Sequence, residues 1–338
     1  KEYIDRIEAF DRTPIGSRPL NSIITVNPDA LRIAAAIDAE RGEIGPRSLL
    51  AGVPIIVKDN FNTHDMPTTG GCGCWDDNLT GTDATMVEGL RGDGAVILAK
   101  ASMDEFAFGF VSQFSAFQPA GQTLFVANPY DTSRTAGGSS GGTGAAIAAN
   151  LGGIGFGTDT GGSIRVPSSY NQLVGIRPTV GLASRDGIIP LALSQDTGGP
   201  IARSVLDAAA ALDAVTGYDP DDPVTSEQEG KVPASYTEFL DPDALDGADR
   251  LRPVDGRQQP NDHPPVRRRG SRTRIARRDR RPGHATGRIQ RRAQRTQRLH
   301  QRVQARPRGL RGETLVTGGR IPRPAADRGF RPHRAVTA

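Results

Sequence analysis

Thr135-Ala-Gly-Gly-Ser-Ser-Gly-Gly-Thr-Gly-Ala-Ala146, followed by Gly155-Phe-Gly-Thr-Asp-Thr-Gly-Gly-Ser-Ile-Arg-Val-Pro167, is the part of this 338-residue sequence around which the rest is arranged. Two glycine-flanked serines, Ser139 and Ser163, bracket an alanine-rich segment, 145–149, that reads as a buried helix. Glycine lets backbone N–H groups approach a ligand that a Cβ would block. A serine directly after Thr160-Gly161-Gly162 has N–H donors beside its own hydroxyl, the arrangement that stabilises a developing oxyanion. The pattern reads as an active site built on a serine.

Other glycine-rich readings fit less well. No Gly-Lys-Ser or Gly-Lys-Thr occurs, which removes the phosphate loop of nucleotide hydrolases. A flexible linker does not carry Ile147, Ile154, Phe156 and Ile164 among its glycines. Residues 138–142 satisfy Gly-x-Ser-x-Gly, a nucleophile elbow centred on Ser140. That elbow needs a later histidine, and the histidines after it are His263, His284, His300 and His333, all in an arginine-rich tail. The proton acceptor is therefore sought elsewhere.

The lysines are Lys1, Lys58, Lys100 and Lys231. Lys58 ends Gly52-Val-Pro-Ile-Ile-Val-Lys58, an apolar strand pattern that carries it into the interior. Burial disfavours an ammonium ion and lowers its pKa, so such a lysine can accept a proton near neutral pH. The alternative is a structural lysine at a strand end, paired with Asp59.

These segments bear a resemblance to the amidase signature family. The matching stretches are Gly52-Val-Pro-Ile-Ile-Val-Lys-Asp-Asn60, Gly137-Gly-Ser-Ser-Gly-Gly-Thr-Gly-Ala-Ala146, Gly157-Thr-Asp-Thr-Gly-Gly-Ser-Ile-Arg165 and Val174-Gly-Ile-Arg-Pro-Thr-Val-Gly181, within a likeness running from about Tyr3 to Gly247. The resemblance implies a Ser-Ser-Lys triad, with Ser163 as nucleophile, Ser139 as bridging serine after a cis peptide bond, and Lys58 as base. It implies an oxyanion hole from the backbone N–H groups of Thr160, Gly161, Gly162 and Ser163. Ser140, Asp159 and Arg165 are expected to support the loop, the last two as an ion pair. The implied fold is α/β, a mixed sheet covered by helices and incomplete at the C-terminus. Many relatives carry Cys-Gly after the nucleophile loop, where this chain has Tyr170-Asn-Gln-Leu-Val-Gly175. Ser194-Gln-Asp-Thr-Gly-Gly-Pro200 is more like the peptide-amidase branch than the glutamine-hydrolysing amidotransferase subunit.

The flanking sequence agrees with alternating helices and strands. Tyr3, Ile4, Ile7 and Phe10 form a helical stripe, and 20–26 reads as a strand. A helix is expected with Asn27 as cap, Pro28 in its first turn and Gly42 at its end. Residues 83–91 read as helix, 95–99 as a buried strand, and 204–215 as a helix capped by Ser204 and stopped by Gly217. Ser102 to Gly109 matches a further family segment that walls the site. Cys72 and Cys74 form neither a zinc site nor a disulfide framework, and a reduced compartment is inferred from them. No cationic leader and no long apolar run is present, so the expectation is cytoplasmic, with no membrane span.

Composition changes abruptly near Asp249. Residues 251–338 hold 25 arginines, no lysine and 5 acidic residues, leaving 17 basic and 33 acidic residues before them. This tail lacks hydrophobic periodicity and cannot bury a core. The expected organisation is an amidase domain over 1–247, truncated at both ends, and a 248–338 tail that is disordered or translated out of frame. The resulting expectation is an amidase without metal or organic cofactor, acting on a small-molecule or peptide amide through an acyl-enzyme on Ser163. One alternative is the glutamine-hydrolysing subunit of a tRNA-dependent amidotransferase. The other is an inactive chain whose basic tail binds nucleic acid nonspecifically through phosphate contacts.

Overall fold

The structure, a computed structural model, describes residues 1–14, 16–241 and 243. The expectations for the arginine-rich tail lie outside these residues. In chain order the main elements begin with α1 (Glu2–Phe10), β1 (Ile23–Val26), α2 (Ala30–Ile44), β2 (Pro54–Lys58), α3 (Thr85–Gly92) and β3 (Val96–Ala101). Two small hairpins follow, from β4 (Gln113–Phe114) with β5 (Leu124–Phe125), and β6 (Ala127–Asn128) with β7 (Asp131–Thr135). The chain then forms α4 (Gly141–Ala148), β8 (Ile154–Asp159), α5 (Arg165–Tyr170), β9 (Val174–Gly175), β10 (Thr197–Ala202) and α6 (Val205–Asp213).

Six strands make one mixed sheet in the order β1-β3-β2-β8-β10-β9. β2 runs parallel to both β3 and β8, while β1 and β10 pair antiparallel with β3 and β8. Strands covered on both faces read as continuous apolar runs, as Ile55-Ile-Val57 and Val96-Ile-Leu-Ala99 do. The period of two splits their side chains between two cores. Ile55, Val57, Ile97 and Phe156 pack against α3 and α6, whereas Ile56, Val96 and Leu98 pack against α1, α2 and α4. Lys58 follows Ile56 in that alternation and so projects to the face that carries α4.

α4 lies unusually close to β8. A Cβ on Gly155 would lie 2.4 Å from Thr143 Cγ2, and one on Gly157 would lie 2.7 Å from Ser140 Oγ. The alternating glycines of β8 thus bring the first turn of α4, and Ser139 just before it, down onto the sheet.

Several local expectations are corrected. The helix expected to start at Asn27 begins at Ala30, because the Asn27 side chain accepts from Asp29 N–H in a turn that precedes it. Gly42 lies inside α2, and the helix ends at Gly45, whose φ of 84° suits glycine. Cys72 and Cys74 are joined to each other by a disulfide. The short turn Gly73–Trp75 brings their Cα atoms to 5.2 Å, within bonding range. The compartment inferred from two reduced thiols loses its basis. Among the described residues, no helix is long and apolar enough to cross a membrane.

Candidate active site

β2 and β8 are parallel neighbours, so their carboxyl ends open on the same edge of the sheet, where open α/β sheets place their sites. Lys58 is the last residue of β2 and is fully buried. Its Nζ donates to Ser139 Oγ at 2.7 Å and to Thr158 Oγ1 at 2.7 Å. Burial pushes its pKa down to about 7, against the opposing pull of Asp104, Asp159 and Asp196. Asp59 does not neutralise it. That carboxylate turns to the other buried lysine, Lys100, at 3.2 Å, and also accepts from the backbone of Thr69 and Gly71. The alternative Lys58–Asp59 pairing does not form, and Asp59 pairs with Lys100 instead, since adjacent residues on a strand face opposite sides. Lys100 Nζ further donates to the carbonyls of Phe61 and Pro67.

Ser139 follows a cis peptide bond from Gly138 and is fully buried. Its carbonyl accepts from Asp104 N–H at 3.3 Å and from Ser112 Oγ at 3.2 Å. The Asp104 carboxylate in turn accepts from the N–H groups of Val111 and Gln113. Ser163, 4 % exposed, ends the loop after β8, and its carbonyl accepts from Ser140 N–H at 3.2 Å. That bond joins the two serine segments through their backbones. Among the described residues, Ser163 Oγ has no hydrogen-bond partner, and the two hydroxyls of Ser139 and Ser163 are not bonded to each other. Ser140 Oγ is buried and donates to the Thr158 carbonyl at 3.2 Å. Its hydroxyl is occupied as a brace between α4 and β8.

Asp159 organises the loop that carries Ser163. Its carboxylate accepts from the N–H groups of Gly162 at 2.8 Å, Ile164 at 3.0 Å and Arg165 at 3.3 Å. The Arg165 guanidinium adds contacts at 3.1 and 3.0 Å, and Arg177 Nε another at 3.2 Å. Burial alone would raise the carboxyl. The Arg165 guanidinium and the surrounding N–H groups outweigh it and hold the carboxyl at about 2. One of the four expected oxyanion donors, the Gly162 N–H, is thus committed to Asp159. Among the described residues, the N–H groups of Thr160, Gly161 and Ser163 have no acceptor.

Four residues at the site did not emerge from the sequence. Thr158 gives Lys58 its second hydroxyl partner. Asn60 donates from Nδ2 to Thr158 Oγ1 at 3.2 Å and to the Ile189 carbonyl at 3.3 Å. Asp196 accepts from the Thr160 hydroxyl and from the N–H groups of Leu191 and Ala192. Arg177 is the second guanidinium on Asp159. Thr158, Asn60 and Arg177 all lie inside the quoted motifs, and the alternation of β8 was a usable signal for Thr158. Asp196 likewise lies inside a quoted stretch, Ser194 to Pro200, but was read there only as a mark of the family branch. A narrow pocket lined by Asn60, Thr158, Thr160, Asp196, Ile188, Ile189, Pro190, Leu191 and Leu193 opens beside these groups.

The chain belongs to the amidase family, whose profile matches residues 1–242. It is 43% identical over 241 residues to a glutamyl-tRNA(Gln) amidotransferase subunit of Cupriavidus metallidurans, covering 71% of this chain and 46% of that protein. It is 46% identical over 224 residues to the protein of the same name from Thermobifida fusca, covering 65% of this chain and 42% of that one. Among solved structures it is similar to a peptide amidase from Stenotrophomonas maltophilia, with 44% identity and a TM-score of 0.65 over 72% of this chain and 49% of that one. An amidase family protein from Bacillus anthracis gives 38% identity and a TM-score of 0.66, over 72% and 48%. The chain thus spans just under half the length of the relatives it matches, and its mixed sheet with flanking helices agrees with theirs.

Proposed function

We propose that this member of the amidase family carries the machinery for hydrolysing a carboxylic or peptide amide through an acyl-enzyme on Ser163. The observation that carries the reading is Lys58 Nζ, buried without a carboxylate partner and 2.7 Å from Ser139 Oγ. With its pKa near 7, Lys58 is substantially neutral at physiological pH and its lone pair can accept a proton along that contact.

In this proposal Ser163 Oγ rotates toward Ser139 Oγ and attacks the amide carbonyl. The Ser163 proton passes to Ser139, and the Ser139 proton passes to Lys58. The N–H groups of Thr160, Gly161 and Ser163 hold the oxyanion, while Gly162 keeps the loop fastened to Asp159. Collapse breaks the C–N bond, and the departing ammonia or amine takes the proton back through the same relay. Water then attacks the ester, gives its proton to Lys58, and the released Ser163 oxygen recovers it as the acid leaves.

The test joins two measurements. Ammonia release from a simple primary amide is followed, and mass spectrometry locates the adduct of a fluorophosphonate probe. An adduct on Ser163 is expected; one on Ser140 with Ser163 spared refutes the assignment. A second reading, the glutamine-hydrolysing subunit of a tRNA-dependent amidotransferase, is favoured by the name shared by the two curated relatives above. Ammonia release from simple amides without partner subunits separates the first reading from the second. The family match ends at residue 242, next to the change in composition. Residues from 248 on are accordingly proposed as a segment foreign to the domain, and translating the encoding DNA in its other two frames beyond residue 247 tests this.

A further inference from the structure

Resting on Lys58 as the group that takes the Ser139 proton, we propose that Asp104 is a positioning residue whose carboxylate serves as the fixed counter-ion of the Lys58 ammonium. It stabilises that charge as Ser163 attacks, and the proton stays on Lys58. The backbone places it for this. Asp104 lies three residues beyond β3, and its N–H donates at 3.3 Å to the carbonyl of Ser139, whose hydroxyl meets Lys58 Nζ. Its Oδ2 lies so close to Gly138 that a Cβ there would overlap it, and a Cβ on Gly109 would overlap Oδ1. The carboxylate therefore flanks the Gly138–Ser139 segment on which Lys58 acts.

Asp104 is 3 % exposed, and each of its carboxylate oxygens accepts one backbone N–H, Oδ2 from Val111 at 3.2 Å and Oδ1 from Gln113 at 3.1 Å. So fastened, the group does not swing over to Lys58, and the two side chains form no direct ion pair. An anion fixed by backbone dipoles costs no reorganisation when a positive charge appears nearby. Burial also keeps salt and water from screening the attraction.

The other charges around Lys58 are less suited to the task. Asp159, at the end of β8, is neutralised by Arg165 and Arg177. Asp196, just before β10, is bound by the Thr160 hydroxyl and two N–H groups, and Arg185 shares its pocket wall and feels its charge. Lys100, on the neighbouring β3, carries Asp59 as its own partner, and α4 contributes no charged side chain. Asp104 alone of the three aspartates has no arginine beside it among the described residues. The electrostatics follow the same order. Burial is the largest influence on Lys58 and lowers its pKa, and Asp104 leads the three aspartates that pull it back up.

The protonation of Lys58 can be read without turnover. The chain holds only Lys1, Lys58, Lys100 and Lys231, so isotope labelling at lysine Cε gives few NMR signals, and the one lost in Lys58→Met belongs to Lys58. Its chemical shift is followed against pH. The native midpoint is expected near 7, and Asp104→Asn should lower it by about one pH unit, because the ammonium loses its counter-ion. The smaller Asp104→Ser should give the same drop. Both variants also loosen the segment, and Ser112→Ala is the control for that: it removes the other hydrogen bond to the Ser139 carbonyl, keeps the charge, and should leave the midpoint in place. An unchanged midpoint in the Asp104 variants, an equal shift in Ser112→Ala, or a larger shift in Asp196→Asn overturns the assignment. A midpoint lowered by the Asp104 variants in a protein whose Ser163 takes no fluorophosphonate supports the counter-ion and overturns the catalytic reading, so the two failures are distinguishable.

Discussion

Replacing Lys58 by methionine should abolish amide turnover while removing a burden on the fold that is itself visible as a function of pH. Burial lowers the Lys58 pKa from 10.5 to about 7, which at 1.36 kcal/mol per unit corresponds to roughly 5 kcal/mol. Between these two values the unfolded chain holds a proton on Lys58 that the folded chain does not. The unfolded state therefore binds more protons, and native stability rises with pH through this window by roughly 1.4 kcal/mol per unit. The penalty is fully present below about pH 7 and is relieved toward pH 10.5. Lys58→Met has no such dependence. It does leave the Ser139 and Thr158 hydroxyls each short of one partner, a loss of about 1 to 3 kcal/mol apiece that is independent of pH. The difference in unfolding free energy, variant minus native, should thus fall by roughly 3 kcal/mol between pH 7.5 and 9.5. Urea titrations at several pH values measure it, and subtracting the native curve cancels the other titrating groups, Lys100 included. A difference that stays flat across this range refutes the argument that a buried, depressed Lys58 underlies the site.

Turnover of the native chain should rise with pH through about 7, as Lys58 loses its proton, and an acid limb centred above pH 9 would contradict this. Ser163→Ala should remove both fluorophosphonate labelling and ammonia release. The Ser163→Ala, Lys58→Ala double variant should lose little beyond the worse single variant, because members of one catalytic unit are not additive. Asp159→Asn removes the carboxylate that Arg165, Arg177 and three loop N–H groups share and should destabilise the chain by about 1 to 3 kcal/mol, read by denaturant titration. In the native chain the depressed Asp159 carboxyl contributes stability that is present above pH 3.8 and is lost as pH falls through about 2, so acid unfolding should shift to higher pH in other variants that weaken its bonds. Gly157→Ala places a methyl 2.7 Å from Ser140 Oγ and should cost about 1 to 3 kcal/mol; an unchanged melting temperature would mean that α4 is not seated on β8 as described.

The family, the α/β class and the principal strands were legible before any coordinates. Gly52 to Lys58 is apolar in the manner of a strand covered on both faces, and β2 occupies 54–58. The glycine-serine segments could be matched because glycine there answers a steric demand that no other residue meets, as Gly155 and Gly157 show beneath α4. Helix boundaries were less legible. The start of α2 and its end at Gly45 depended on which side chains turned back on the backbone and on where φ became positive, and Asn27 and Gly42 offered plausible but wrong alternatives.

The sequence by itself determined which residues are candidates for chemistry: Lys58, Ser139 and Ser163, with Asp159 and Arg165 beside them. Tertiary structure alone decided the state and partners of those groups. Lys58 lies 81 residues from Ser139 and 100 from Thr158, and their contacts exist only because parallel β2 and β8 place their ends together under α4. Nothing in the local sequence states that Asp59 turns to Lys100, that the Gly162 N–H is committed to Asp159, or that Asn60 Oδ1 is left without a partner. Burial and hydrogen-bond pairing belong to the assembled environment, and they set the pKa of a lysine and the availability of an N–H or a carbonyl-type oxygen.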